Sequence, residues 1–376
     1  MSKPLNPFII SGYEGAEYFC DREEETARLH TEITNGNHVA LIATRRMGKS
    51  GLVQHYFAEP TVQNKYYTFF IDIYDTLSLR ELIIKLSREI VTRLQPKGRQ
   101  ALQQFWNTVR SLQAGISFTP MGEPSFNVQL GDIHETTATL DEIFTYLGQA
   151  DRPCIVAIDE FQQIGHYPER NVEAMLRTHV QRCNNAQFIF SGSQRHTMST
   201  MFLSPARPFF QSVSIMHLEA IRKSEYDTFA KQLFLAGNRT LADGVTEAVY
   251  AISRGVTWYT QKLFNTLYFQ TPEGGVCTTE NVPEALDYVV KTQAYSYQET
   301  LFRLPEKQKM LLIALAKNGP ATKITSADFV RRYALPSTST VQSAVKGLLE
   351  KDFVTVEQGV YSVYDLFFAV WIQREY

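Results

Sequence analysis

One stretch constrains this chain more than any other: HVALIATRRMGKSGLVQHYF, His38 to Phe57. A short apolar run, Val39 to Ile42, feeds a loop that ends in Gly48-Lys49-Ser50. Leu52, Val53 and Phe57 then recur at helical spacing. Strand, loop and helix N-terminus in that order give the setting of a phosphate-binding P-loop. The first N–H groups of a helix have no intrahelical acceptor, and the positive end of its dipole favours an anion. Lys49 adds a point charge for β- and γ-phosphates, and the Ser50 hydroxyl is a ligand for Mg²⁺. The pattern G-x-x-x-x-G-K-[ST] has glycine where this chain has Ala43. Alanine makes the same turn if its φ is negative.

A P-loop needs an acidic partner at the end of a neighbouring strand, and the chain supplies one. In CIVAIDEFQQIG, Cys154 to Gly165, four apolar residues, Ile155 to Ile158, precede Asp159-Glu160. Ligands of open α/β sheets bind at the carboxyl ends of the strands. Asp159 is placed to join Ser50 in holding Mg²⁺, and Glu160 to orient or polarise an attacking water. After a helix over Asn171 to Arg182, the strand Gln187 to Ser191 ends in the polar turn Ser191-Gly192-Ser193-Gln194, where a γ-phosphate sensor is expected. A fifth strand spans Ser212 to Leu218. Just before it, SPARPFFQS offers Arg207, either an arginine finger or a surface residue beside a proline turn.

The intervening segments keep an α/β rhythm. Asp21 reads as the N-cap of a helix that Asn35-Gly36 closes. YYTFFIDIYD, Tyr66 to Asp75, reads as a buried strand, and Ser78 to Leu94 as a helix with a leucine–isoleucine stripe. A further helix spans Thr137 to Leu147. Five parallel strands with flanking helices are implied. Residues 95–135 interrupt the rhythm as an insertion, with a helix over Gln100 to Leu112 and a hairpin within Gly115 to Gly131.

From Arg222 the strands stop, and amphipathic helical stretches follow to about residue 302, with Gly255 breaking one of them into two. From Leu304, three helices and a hairpin around Gln358-Gly359 make a winged helix. The division expected is 1–220, a P-loop domain, 221–302, a helical lid, and 303–376, a winged helix. The third helix of the winged helix exposes Ser337, Ser339, Thr340, Gln342, Ser343 and Lys346, a surface with little positive charge. DNA binding through it therefore ranks below a protein partner or self-association.

Composition fits this division. A chain of 376 residues exceeds one compact core. Its 44% hydrophobic and 20% charged content is that of a globular protein, and a net charge of −2 argues against a generally basic nucleic-acid binder. Cys20, Cys154, Cys183 and Cys277 are scattered, with no zinc spacing or disulfide framework. No signal peptide or membrane-length apolar run is present, so the expected location is cytoplasmic, with no membrane partner.

Together these parts resemble the archaeal/bacterial ATPase family within the STAND branch of AAA+-like P-loop NTPases, in the version common in Bacteroidetes-type genomes. The resemblance rests on NPF near the start, FCDREEE, ATRRMGKS, AIDEFQQI, FSGSQRHTM, RPFFQS, SRGVTWY and YDLFFAVWIQ. It spans nearly the whole chain. It implies ATP/ADP with Mg²⁺, slow hydrolysis, and nucleotide-dependent rearrangement of the domains, as in a regulatory switch. The family's motif against the adenine falls on Asp21-Arg22-Glu23, with Asp21 in place of glycine. Its phosphate loop falls on Thr44, Arg45, Arg46, Met47, Gly48, Lys49 and Ser50, followed by Gly51. The acidic pair is Asp159 and Glu160, and the sensor Ser193 or Gln194. The lid's Gly-x-Pro turn falls on Gly255-Val256-Thr257, with Thr257 in place of proline.

Overall fold

The computed structural model describes residues 4–94, 108, 116–118, 124–126 and 136–376. The apolar run ahead of the P-loop forms strand β1 (Val39–Ile42), buried along its whole length. Burial on both faces is what helices on both sides of a parallel sheet impose. Strands β2 (Tyr67–Asp72), β5 (Cys154–Asp159), β6 (Ala186–Gly192) and β7 (Ser214–His217) join it in the order β2-β5-β6-β1-β7. Every pairing in this five-stranded sheet is parallel. The register sets Asp72 opposite Asp159, and Ile42 opposite Gly192 on one side and His217 on the other. The polar strand ends therefore meet along one edge.

Helices α1 (Glu23–Thr34), α2 (Lys49–Ala58), α3 (Pro60–Lys65), α4 (Leu79–Arg93), α5 (Thr136–Gly148), α6 (Val172–Arg182) and α7 (Arg195–Leu203) complete this part. The stripe expected on α4 is buried at Leu79, Leu82, Ile83, Leu86 and Ile90, and the Ser78 hydroxyl caps the helix by accepting from the Glu81 N–H. Asp21 does not cap α1. The helix starts at Glu23 after two left-handed residues, Asp21 (φ 56°) and Arg22 (φ 74°), because the Arg22 side chain is turned inward to backbone carbonyls. Of the insertion, strands β3 (Ile116–Phe118) and β4 (Pro124–Phe126) pair antiparallel as a hairpin. The helix expected over Gln100 to Leu112 lies outside the described residues, apart from Thr108. All four cysteines are free and buried. Burial pushes the Cys154 thiol up to about 12 and that of Cys183 up to about 11, so neither is poised as a thiolate.

The chain divides into two compact units, Ser11–Arg222 and Met1–Ile10 with Lys223–Tyr376. Residues 4–10 pack on the helices that follow the sheet. Those helices are α8 (Lys223–Ala236), α9 (Val245–Ser253), α10 (Thr257–Gln270) and α11 (Asn281–Phe302), with a short parallel pair, β8 (Thr240–Leu241) and β9 (Val276–Cys277). Phe8 is fully buried among Phe229, Phe234, Phe264 and Tyr268. Backbone carbonyls of Phe8, Ile9 and Ile10 accept from Asn265, Gln261 and Trp258 of α10. Phe8→Ala is expected to destabilise this unit by about 3 kcal/mol. Urea unfolding followed through the fluorescence of Trp258 and Trp371 measures it; an unchanged midpoint would show that the plug is dispensable.

The winged helix consists of α12 (Glu306–Asn318), α13 (Ala327–Arg332), α14 (Thr338–Glu350) and the antiparallel hairpin β10 (Val354–Glu357) with β11 (Val360–Val363). A last helix, α15 (Leu366–Glu375), follows the hairpin and buries Phe367, Phe368, Trp371 and Ile372. The sequence pattern predicts only the hairpin here, but Asp365 caps this helix, accepting from the Phe367 and Phe368 N–H groups. On α14, Ser339, Gln342, Ser343 and Lys346 are exposed as expected, but Ser337 is spent as the N-cap, accepting from the Thr340 N–H at 3.2 Å. Among the described residues no helix is long and apolar enough to cross a membrane.

Candidate nucleotide site

The loop between β1 and α2 turns through left-handed backbone at Arg46 (φ 69°) and Gly48 (φ 91°). Ala43 is not among the residues of positive φ, so the alanine sits where an L side chain is at ease. Its methyl group is fully buried, and its N–H reaches the Gly192 carbonyl at 3.4 Å. The helix that follows begins at Lys49, so the N–H groups of its first turn lack intrahelical acceptors. Lys49 itself is buried, with its ammonium 3.5 Å from the Thr44 carbonyl. Burial lowers its pKa, while Glu160 and Asp159 pull it up and Arg45 and Arg195 push it further down.

One member of the acidic pair, Asp159, meets the start of α2. Ser50 Oγ donates to Asp159 Oδ2 at 2.5 Å, across 109 residues of sequence. A hydroxyl and a carboxylate oxygen converging beside a buried lysine are the hard oxygen donors that magnesium takes from a protein. The residues present therefore fit the ion. Glu160 stands at the end of β5 with left-handed backbone (φ 55°, ψ 40°), and a 3₁₀ turn, Phe161–His166, follows. Phe161 anchors that exit by packing fully buried on Phe190, Phe202 and Phe209.

Ser193 and Gln194, the two sensor candidates, have different partners. Ser193 is buried and its Oγ donates to Glu160 Oε2 at 2.5 Å. Gln194 instead accepts from Thr197 on α7 at 3.0 Å. Arg45 Nε donates to Ser193 Oγ at 3.3 Å, and its guanidinium lies 5.8 Å from the Tyr74 ring. Arg207 forms an ion pair with Glu173 of α6, so its head group is engaged within its own unit rather than at the P-loop. Gly51 follows on α2 with Phe19 against it, where an added Cβ would meet the ring at 3.3 Å.

Arg22 is buried, and its guanidinium donates to the Glu219 carbonyl at 2.8 Å, the Met47 carbonyl at 3.4 Å and Glu25 at 2.5 Å. It thus ties the P-loop to the segment leaving β7. Beside it lies a cavity of about 320 Å³ whose lining includes Asp21, Arg22, Arg28, His217 and Glu219, within the lower range of small-molecule sites. Gly255 (φ 72°) and Thr257, the first residue of α10, belong to the other compact unit.

Asp72 was not singled out in the sequence. It ends β2 in register with Asp159 and adds a third carboxyl to this edge. Partial burial raises its pKa, with Asp159 and Glu160 adding to the effect. The signal was present in the repeated Ile-Asp strand ends, Ile71-Asp72 and Ile158-Asp159.

Comparison with known proteins gives the same architecture. A family model described as a probable winged helix domain matches residues 295–374. No curated protein matches the sequence. The Walker-type ATPase PABY2304 of Pyrococcus abyssi aligns over 98% of this chain and 99% of its own, with a TM-score of 0.65 and 17% identity. The Aeropyrum pernix ORC2 protein, solved as ADPNP–ADP complexes, aligns over 98% and 95%, with a TM-score of 0.56 and 14% identity. The Aeropyrum pernix ORC1 protein, solved in complex with DNA, aligns over 95% and 93%, with a TM-score of 0.53 and 12% identity. At these identities the likeness is one of fold. The chain has the α/β fold of Walker-type P-loop ATPases, with a five-stranded parallel sheet and a C-terminal winged helix domain.

Proposed function

We propose that this protein is an ATP-binding, Mg²⁺-dependent ATPase of the STAND type that turns over slowly and uses its nucleotide state as a regulatory switch. The observation that carries the reading is the approach of Ser50 to Asp159 beside buried Lys49. In this reading the first-turn N–H groups of α2 and the Lys49 ammonium bind the β- and γ-phosphates. Ser50 and Asp159 would hold magnesium, which would supply charge neutralisation for those phosphates. Glu160 orients the attacking water, and Ser193 donates to the γ-phosphate. The cavity beside Arg22 takes the base and ribose, which gives the inward-turned arginine a part in shaping the site rather than in bonding the ligand. Cytoplasmic location and a three-part division at about residues 220 and 302 belong to the same proposal.

A protein partner or self-association suits the winged helix better than DNA. The exposed face of α14 offers one lysine, Lys346, and it already lies 4.0 Å from Glu350. Arg331 at the end of α13 is paired with Asp328 at 2.7 Å. Such a surface releases few counterions from a duplex.

A resting switch retains its product. Protein purified without added nucleotide and then denatured is expected to release ADP in near-equimolar amount, identified by ion-exchange chromatography and mass spectrometry. If it releases none, and the same protein takes up neither ATP nor ADP with magnesium in calorimetry, the reading is wrong.

A further inference from the structure

Glu160 has a second neighbour that the proposed mechanism does not use. Gln162, two residues on in the 3₁₀ turn, is only 3% exposed and donates through Nε2 to Glu160 Oε2. The same Nε2 lies 3.4 Å from Ser193 Oγ. Facing two oxygens, the amide has one sensible orientation, nitrogen toward them. Its Oε1 then has no hydrogen-bond partner although it is buried. An orphaned buried acceptor is a cost that an apolar residue of the same length avoids. Room for this amide is made by Gly192, where a Cβ would come within 2.5 Å of Gln162 Oε1 and 2.4 Å of Met198 Sδ.

The hydroxyl of Ser193 carries one proton. It accepts from Arg45 and donates to Glu160. That proton cannot serve Glu160 and a γ-phosphate together, so engaging phosphate means releasing the carboxylate. Gln162 is then the donor left on Glu160 Oε2.

Resting on the ATPase reading above, we infer that Gln162 is a positioning residue: it holds Glu160 while Ser193 transfers its hydrogen bond from that carboxylate to the γ-phosphate. No bond to the substrate is made by Gln162 itself, so its loss acts on turnover and not on binding.

Gln162→Met keeps length and volume, removes the donor and removes the orphaned acceptor, so the variant is expected to fold with a melting temperature no lower than the wild type. Its kcat for ATP is expected to fall about tenfold with KM and the calorimetric Kd for ATP unchanged within about threefold. In a Glu160→Gln background, single-turnover hydrolysis is expected to change less than twofold on adding Gln162→Met, because the residue acts only through that carboxylate. A wild-type kcat in Gln162→Met, or a further tenfold fall in the Glu160→Gln background, overturns the inference and leaves the ATPase reading standing. Wild-type phosphate release no faster than that of Glu160→Gln overturns both.

Discussion

Lys49→Ala is expected to weaken ATP binding about a thousandfold, roughly 4 kcal/mol, by isothermal titration calorimetry with magnesium present. Two effects combine to make the loss large. The ammonium is buried, so its attraction to phosphate is poorly screened by water. Its own pKa is lowered chiefly by that burial, which Glu160 and Asp159 offset only in part, and phosphate would add to that compensation. The substitution also removes the ammonium that offsets the charge of Asp159 and Glu160 beside the incoming anion. Arg45 is nearby but is drawn toward Ser193 and the Tyr74 ring, so it does not replace the lysine. ATP bound as tightly by Lys49→Ala as by the wild type would remove the P-loop from the site altogether.

Glu160→Gln is expected to separate binding from turnover: a Kd for ATP within about threefold of the wild type, and steady-state phosphate release reduced about a thousandfold. The amide preserves the shape that fills the space between Ser193 and Gln162. It cannot accept a proton or carry the negative charge that polarises water. A loss confined to kcat marks an interaction made in the transition state rather than in the ground state. Turnover within fivefold of the wild type would show that another group, with Asp72 the nearest candidate by register, activates the water.

Much of this site was legible because its parts are local. A buried strand, a lysine and serine at a helix start, and an acidic pair at a second strand end are each set by a few adjacent residues. Their convergence follows from parallel strands that end at one edge. The residues that escaped notice depend on pairings that spacing does not encode. Gln162 matters only because β6 lies beside β5 and carries a glycine where the amide must fit. Asp72 matters only through its register with Asp159. Asp21 failed as a cap because the neighbouring arginine has carbonyls to reach near residues 47 and 219. Helix α15 was overlooked because its dense aromatic content, Phe367, Phe368 and Trp371, is shared by strands and helices alike.

The burial of Phe8 has a consequence for biosynthesis. Its aromatic partners extend to Tyr268, so a ribosome adding about 5–20 residues per second exposes Phe8 for roughly 13–50 s before its last partner exists. In that interval the whole of Ser11–Arg222 is synthesised and has its own core to close. Phe8, Ile9 and Ile10 must stay out of that core and wait for helices not yet made. A change at Phe8 therefore strikes at the assembly of helices made some 220–260 residues later, even though the P-loop is the nearer neighbour in sequence.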